Sequence, residues 1–394
     1  MKRFSRLAGV CLIAAALGRA DTLLILPFTN GSANPSLDWV GESIAETIRE
    51  ALAGQGLMTH ERSDRQEVYR RLGVRPYAQL TRATVIKIGQ TLDAERVIYG
   101  EFVLKPPAEG STSRGSLRLT AHILNLRGMT QGPEFAEIGA LEDLAALQRH
   151  LAWQTLQFIA PRNAPSEAAF LQAAGRIRVD ALENYIRGLL TTSDDQKSRL
   201  FLQAARLQPE YSQAQFQLGM LYFGKKDYRG AADWLSKVAP TDVNYRRAIF
   251  YLGLSRYDSG DFAGAQAAFE QVAKTVPLNE VLNNLGAAQS RRNLPEALDS
   301  FVKALEGDSS DPVYHFNVGY AFWKQGKFDA AAERFRAALD RDPNDGEATL
   351  MLGRCLKKTI FRPADSRENF ERLKTNYEES AWWQLKAVLE PDKP

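Results

Sequence analysis

The chain has 394 residues, 44% of them hydrophobic and 25% charged, which is the composition of a globular protein with more than one domain. Its formal net charge of +3 comes entirely from the first 20 residues, which contain four basic side chains and no acidic one. The remainder holds 46 basic and 47 acidic groups, so it lacks the basic surplus with which a nucleic-acid-binding protein neutralises phosphates.

The N-terminus has the pattern of a secretory signal peptide. Three basic residues precede an apolar run from Leu7 to Leu17, and Gly18-Arg19-Ala20 offers a small-x-small cleavage site. The run is shorter than the roughly 20 residues that span a bilayer. We therefore predict a signal peptide over residues 1–20 and an exported, periplasmic protein; an uncleaved anchor or a misassigned gene start are the alternatives. Cys355 would then be the only cysteine, which excludes an internal disulfide and a cysteine-based metal site.

Residues 21–160 alternate short strand patterns with amphipathic helix patterns. Apolar residues spaced by four between Trp39 and Leu52 predict a helix, and strict alternation over Ser116–Asn125 predicts a half-buried strand. Further strands are predicted at Thr22–Pro27, Leu57–His60, Arg96–Leu104 and near Phe135, and further helices at Ala83–Leu92 and Leu141–Ile159. This order predicts an α/β (α+β) domain in which helices pack on a sheet.

Three short motifs in this region resemble the TolB amino-terminal domain and its relatives in the bacterial envelope. The first is Leu24-Ile25-Leu26-Pro27-Phe28 followed by a polar loop, and the second is Trp39-Val40-Gly41-Glu42-Ser43-Ile44, which opens a helix. The third runs from Leu92 to Phe102 and has a helix end, a turn and a strand. The resemblance implies a domain over residues 21–160 that makes protein contacts and has no known chemistry. A linker is expected at residues 161–165.

A glycine recurs in the second half of the chain at intervals of 33 or 34 residues, at Gly219, Gly253, Gly286, Gly319 and Gly353. Around each lie the same residue types, and the unit from about Pro312 to Asp345 preserves them best. In that unit Val318-Gly319, Phe322, Ala331, Phe335, Ala338 and Pro343 stand where a tetratricopeptide repeat has Leu-Gly, an aromatic, Ala, Phe, Ala and Pro. The small residues let two helices approach closely, and the proline ends the second helix.

The chain is thus identified with the tetratricopeptide family over residues 166–390, and an all-α superhelical solenoid is predicted there, since single repeats cannot bury their apolar faces alone. A weak first unit contains Gly188, and a degenerate last unit contains Phe370 and Leu373. A terminal capping helix is expected to contain Trp382, Trp383, Leu385 and Val388. TolB-like domains also occur joined to such repeats.

In tetratricopeptide proteins, fixed positions of the first helix of each repeat face a concave groove. Carried over to this chain, they give the candidate partner-binding residues Phe216, Met220, Phe223, Arg247, Phe250, Tyr257, Asn283, Phe316, Tyr320, Trp323, Arg354 and Lys357. Such a groove suits a peptide with apolar anchors and an acidic group near its two C-terminal cations. Alternatively, a neighbouring helix or the front domain covers these aromatics, which are then core. Asn284 and Asn317 occupy one position of the family's carboxylate clamp, but its lysines and arginine are missing.

The sequence shows no catalytic constellation. The four histidines, His60, His122, His150 and His315, form no pair at metal-ligand spacing, and no phosphate-binding glycine loop is present. We therefore predict a non-enzymatic scaffold or adaptor of the bacterial cell envelope. It would use no cofactor or metal, bind proteins or peptides rather than nucleic acid, and be peripheral to the membrane at most. Homo-oligomerisation stays open. The alternative is an envelope sensor whose front domain binds a small molecule or cell-wall fragment.

Overall fold

The computed structural model describes residues 22–32, 34–107, 115–162, 164–173, 177–360, 369–379 and 382. A sheet with helices on both faces occupies the first part of the chain, and consecutive helix pairs occupy the second. This confirms the predicted fold class. The predicted signal peptide lies outside the described residues, as does the predicted capping helix except for Trp382.

The front sheet is mixed. Its strands are β1 (Thr22–Ile25), β2 (Thr29–Asn30), β3 (Met58–Thr59), β4 (Arg96–Lys105), β5 (Ser116–Asn125) and β6 (Thr130–Ala140). They follow the order β3-β1-β4-β5-β6, with β2 also paired to β4. The pairs that involve β1, β2 or β3 are parallel, whereas β5 is antiparallel to its two neighbours, β4 and β6.

Helices cover both faces of this sheet. They are α1 (Asp38–Gly54), α2 (Arg62–Leu72), α3 (Arg82–Thr91) and α4 (Leu144–Ile159). Leu23 and Ile25 of β1 pack in the core with α1 and α4, whereas Leu24 and Leu26 pack with α2 and α3. Side chains on both faces of the sheet are therefore buried here, which explains the continuous apolar run from Leu23 to Leu26. The sequence pattern does not predict α2, because Val68 is its only fully buried apolar residue.

The second part of the chain is built from helix pairs. After α5 (Glu167–Ala173), the helices are α6 (Val179–Leu190), α7 (Asp194–Leu207), α8 (Ser212–Gly224), α9 (Tyr228–Leu235), α10 (Tyr245–Asp258), α11 (Phe262–Ala273), α12 (Asn279–Arg291), α13 (Ala297–Gly307), α14 (Pro312–Lys324), α15 (Phe328–Arg341) and α16 (Gly346–Leu356). Within the described residues, α6 to α15 form five pairs and α16 follows as a single helix. None of the helices in the described part of the chain is long and apolar enough to cross a membrane.

The recurring glycine has a steric reason in the repeats. A Cβ atom at Gly253 would lie 2.6 Å from the ring of Phe269, and one at Gly286 would lie 2.7 Å from the ring of Phe301. Each ring comes from the second helix of the same pair. At Gly353 in the single helix α16, a Cβ atom would meet nothing within 4 Å. Glycine is therefore needed where the second helix of a pair packs so closely on the first that no space is left for a Cβ atom.

We expect opposite effects from the same substitution at two of these glycines. Gly253→Ala should lower the free energy of unfolding by about 1–3 kcal/mol, because the methyl group forces the Phe269 ring to move. Gly353→Ala should raise it by about 0.5–1 kcal/mol through helix propensity. Urea unfolding followed by circular dichroism measures both changes, and equal losses at the two sites would contradict the steric explanation.

The front domain and the first repeats share one hydrophobic core. A single cluster of buried residues extends from Leu23 and Ile44 of the front domain to Phe201 and Leu218 of the repeats. Polar contacts reinforce this junction: the Arg62 guanidinium donates to the carbonyl of Leu189 at 2.6 Å. The two parts of the chain are therefore packed together rather than merely tethered.

An acidic group lies at this junction with little access to water. The side chain of Glu50 is 17% exposed, accepts a hydrogen bond from Gln213 of α8 at 3.3 Å and lies 3.9 Å from the Arg49 guanidinium. Burial raises the pKa of Glu50 to about 8; Asp242 and Glu46 add to this shift and Arg49 opposes it.

This shift predicts a loss of stability with rising pH. An unfolded glutamate releases its proton near pH 4.3, so between that pH and about 8 the folded state holds a proton that the unfolded state has lost. Stability should therefore fall through this interval, and Glu50→Gln should flatten the trend. Melting temperatures measured from pH 5 to 8 test it. Glu67→Gln is the control, because hydrogen bonds from Arg70 and Arg71 lower the pKa of Glu67 and place its titration below this range. Parallel curves for the wild type and Glu50→Gln would contradict the prediction.

Candidate protein-binding groove

The first helices of the repeats, α8, α10, α12, α14 and α16, line a surface that we call the groove. Residues 369–379, which we call the C-terminal segment, lie extended along it, with no regular secondary structure before residue 379. The prediction that Phe370 and Leu373 belong to a helix of the last repeat is therefore wrong. The backbone groups that a helix would pair internally are instead bonded to groove side chains.

Three asparagines hold the main chain of the C-terminal segment. The amides of Asn283 and Asn317 both donate to the carbonyl of Arg372 at 2.8 Å, and the Asn317 oxygen accepts from the Arg372 N–H at 2.9 Å. Asn284 repeats this two-way bond with the carbonyl and N–H of Lys374, at 2.7 and 2.8 Å. An amide side chain both donates and accepts, so it can replace a neighbouring β-strand. All three asparagines are fully buried.

Of these three residues, the sequence predicts only Asn283 as a groove residue. It places Asn284 and Asn317 at a position of the carboxylate clamp and does not predict that they bind a peptide main chain. A signal was present, since Asn283 and Asn317 lie one repeat of 34 residues apart.

Basic side chains of the C-terminal segment meet acidic residues of the groove. The Arg372 guanidinium forms hydrogen bonds of 2.5 and 2.8 Å with Asp345, a 2.8 Å bond with Glu347, and lies 3.5 Å above the ring of Phe316. The bonds from Arg372 lower the pKa of Asp345 below its usual value. The Lys374 ammonium lies 2.5 Å from a carboxylate oxygen of Asp311.

The carboxylate of Glu371 occupies a polar pocket between α12 and α14. Its side chain is fully buried; one oxygen accepts from the Ser290 hydroxyl at 2.8 Å and lies 3.7 Å from the Lys324 ammonium. The other oxygen lies 4.0 Å from the Arg291 guanidinium. Burial lowers the pKa of Lys324, and the Glu371 carboxylate opposes that shift. Buried charges need such partners, so this pocket suits an anion, although the second oxygen of Glu371 makes no hydrogen bond within the described residues.

Four of the predicted groove aromatics, Phe250, Phe316, Tyr320 and Trp323, are fully buried. The Tyr377 ring of the C-terminal segment lies 4.9 Å from Phe250, and the Phe370 ring lies 6.2 Å from Tyr320. The C-terminal segment thus covers Phe250, Phe316 and Tyr320, whereas Trp323 lies against Tyr320 and beneath Arg354 of α16.

The other predicted groove residues differ in their surroundings. Phe216 is buried beneath the exposed Arg247, whose guanidinium lies 5.8 Å from the ring. Tyr257 is buried as well, and burial raises its pKa. Met220 and Phe223 are half-buried.

At the C-terminal end of the groove, Arg354 and Lys357 have different surroundings. Arg354 lies over the rings of Trp323 and Phe370, at 5.5 and 5.3 Å, whereas Lys357 is exposed.

The front domain offers less for a ligand. The cleft at the carboxyl ends of β1 and β2, lined by Phe28, Asn30 and Asp38 among others, has a volume of about 20 Å³, which accommodates about one water molecule. A more open depression of about 310 Å³ lies between β6, α4 and α5, where His150 is 2.6 Å from Glu137 and 3.2 Å from Glu167. Within the described ranges, no cluster of three or more His, Cys, Asp or Glu residues could hold a metal ion.

Comparison with known proteins identifies the repeats. The tetratricopeptide repeat family model matches residues 198–244, 251–312 and 318–358. The helices within these residues are tetratricopeptide repeats. Proteins with such repeats bind other proteins or peptides, so the second part of the chain has the fold of an interaction scaffold.

Several solved structures are similar to part of the chain. YrrB, described as a TPR protein with an unusual peptide-binding site, is 19% identical and matches with a TM-score of 0.41 over 43% of this chain and 91% of its own. MamA from Desulfovibrio magneticus RS-1 is 21% identical, with a TM-score of 0.37 over 41% and 92%. The pilF protein of Pseudomonas aeruginosa is 14% identical, with a TM-score of 0.37 over 54% and 93%.

Proposed function

We propose that this protein is a non-enzymatic adaptor of the bacterial cell envelope that is exported to the periplasm and binds an extended protein segment in its tetratricopeptide groove. The observation that carries the proposal is the bonding of Asn283, Asn284 and Asn317 to the main chain of the C-terminal segment. These bonds use backbone groups that every peptide has, so the groove is chemically suited to extended peptides in general.

The front domain would provide the second contact of the adaptor. Its resemblance to the TolB amino-terminal domain supports a role in protein contacts within the envelope. Because it shares a hydrophobic core with the first repeats, it would hold its own partner in a fixed position relative to the groove. The basic and apolar start of the chain supports export.

Photo-crosslinking in cells tests the adaptor. A photoreactive amino acid at Arg247 or Lys357, which are exposed at the groove, should give a discrete crosslinked partner, and one at the exposed Lys303 on α13 should not. The crosslink should disappear when Asn283 and Asn317 are both replaced by alanine. Equal crosslinks at all three positions, or none at the groove, would contradict the adaptor role.

Export has a separate test. Cell fractionation followed by mass spectrometry should find the protein in the periplasm with Asp21 as its first residue. A cytoplasmic protein that retains residues 1–20 would contradict export and leave the groove proposal untouched.

A further inference from the structure

The C-terminal segment crosses the groove in a fixed direction and register. Arg372 contacts Asp345 at the start of α16, Lys374 is bonded by Asn284 of α12, and Tyr377 packs on Phe250 of α10. The segment therefore runs from the last repeats towards the earlier ones, opposite to the order of the helices.

Main-chain and side-chain contacts have different roles along this path. The asparagine bonds fix an extended backbone but distinguish no side chains. Selectivity must come from charged subsites: Asp311 pairs with the Lys374 ammonium, and two neighbouring subsites have opposite charge. One takes the carboxylate of Glu371 between Ser290, Lys324 and Arg291, and the other takes the guanidinium of Arg372 between two acidic residues and the ring of Phe316. If Glu371 and Arg372 exchanged places, the guanidinium would lie beside Lys324 and Arg291. The carboxylate would lie beside Asp345 and Glu347.

Most of the contacts that hold the C-terminal segment are of a kind that another peptide can reproduce. They are main-chain hydrogen bonds, ion pairs and ring contacts, and its apolar residues Phe370, Leu373 and Tyr377 are only partly buried. Beneath the segment, the repeats keep their own core, in which rings of the first helices pack on rings of the second. The Phe316 ring, for example, lies 5.3 Å from Phe335 of α15. An exchange of one peptide for another would therefore leave the repeat core in place.

We propose that the groove selects an extended peptide of another protein that carries Glu-Arg followed by Lys two positions later, and that the C-terminal segment is an internal occupant that this peptide replaces. The proposal rests on the proposed function and deepens it by stating the ligand. A tethered occupant acts at a high effective concentration, so it lowers the apparent affinity for any separate peptide.

The test uses the full chain and a fluorescent synthetic peptide with the sequence of residues 369–379, Asn-Phe-Glu-Arg-Leu-Lys-Thr-Asn-Tyr-Glu-Glu. Arg372→Glu in the protein should release the C-terminal segment, because it places a carboxylate against Asp345 and Glu347. The peptide should then bind at least about tenfold more tightly to Arg372→Glu than to the wild type, as measured by fluorescence anisotropy. Arg229→Glu on α9, an exposed second helix, is the matched control and should bind like the wild type.

Two further measurements establish register and displacement. A peptide in which the Glu-Arg pair is reversed to Arg-Glu should bind Arg372→Glu at least about tenfold more weakly than the native order does. In the wild type, saturating native peptide should accelerate hydrogen exchange at the amides of Arg372 and Lys374, since these would lose their bonds to Asn317 and Asn284. Tyr377→Ala is the second releasing variant if Arg372→Glu does not fold.

The possible outcomes separate this inference from the proposed function. If the peptide binds wild type and variant equally and the two amides stay protected, the inference fails while an adaptor role remains possible. If Arg372→Glu and Tyr377→Ala both fold and the peptide binds neither of them, the groove does not bind separate peptides. The proposed function and this inference would then both fail for the groove. A concentration-dependent dimer that the free peptide dissociates would mean that the occupant comes from a second copy, which overturns the internal arrangement.

Discussion

Replacing Trp323 with alanine should lower the free energy of unfolding by about 3–5 kcal/mol. The side chain is fully buried in the core of the last repeats, and its indole N–H donates to the carbonyl of Thr359 at 2.7 Å. Alanine would leave a cavity among Tyr320, Phe335 and Met351 of the same core cluster and would remove this hydrogen bond. Urea unfolding followed by the negative circular dichroism band of α-helices measures the change.

Lys357→Ala is the control for this experiment. Lys357 was predicted to belong to the same groove, but it is exposed, so its replacement should change stability by no more than about 0.5 kcal/mol. The comparison distinguishes a core residue from a binding anchor. If Trp323→Ala kept wild-type stability and lost only partner crosslinking, Trp323 would be an accessible anchor and the packing described above would be wrong.

Replacing Asn317 with alanine should release the C-terminal segment without unfolding the repeats. The side chain makes two bonds to the main chain of Arg372 and a third, of 2.7 Å, to the Asn283 oxygen, all in a buried setting. Loss of this side chain should lower the free energy of opening of the segment by about 1–3 kcal/mol, because its polar partners are left unsatisfied. Hydrogen exchange at the Arg372 and Lys374 amides should therefore become roughly 5- to 150-fold faster.

Asn376→Ala is the control within the C-terminal segment itself. Asn376 is exposed, and its amide bonds only to Glu378 of the same segment, so exchange at Arg372 and Lys374 should stay within about twofold of the wild type. Faster exchange throughout α14 in Asn317→Ala would contradict a local release, since it would mean that the asparagine supports the repeat and not only the segment.

The course of residues 369–379 shows why local sequence was insufficient at this point. Phe370 and Leu373 are three residues apart, a spacing that suits one face of a helix and also occurs in extended chains. What decides between them is the set of asparagine amides presented by α12 and α14, which bond the main chain of Arg372 and Lys374. These side chains lie 55 to 90 residues away in sequence, so no local pattern contains them.

The charges of the groove depend in the same way on residues that are distant in sequence. Arg354 and Lys357 suggested an anionic ligand at the C-terminal end, but Arg354 lies over two aromatic rings. The acidic residues Asp345 and Glu347 instead receive a guanidinium there, and the anion pocket lies deeper, at Ser290 and Lys324. A charged side chain on a helix can bind a ligand only if no other residue of the same protein covers it. The sequence pattern does not show whether a side chain is covered.

Local sequence patterns account for the helix pairs and for most strands of the front sheet. Repeated glycines at Gly253 and Gly286 reflect close contacts within a helix pair. The alternation in β5 reflects the face that contains Leu117, Leu119, Ala121 and Ile123, but Thr120 and Leu124 on the other face are buried as well, so the expectation of a half-buried strand holds only for the start of β5. Three other features are visible only in the folded chain: the groove is occupied, Asn284 and Asn317 hold a peptide main chain, and the front domain and the repeats share a core. Each of these depends on residues that are distant in sequence and adjacent only once the chain has folded.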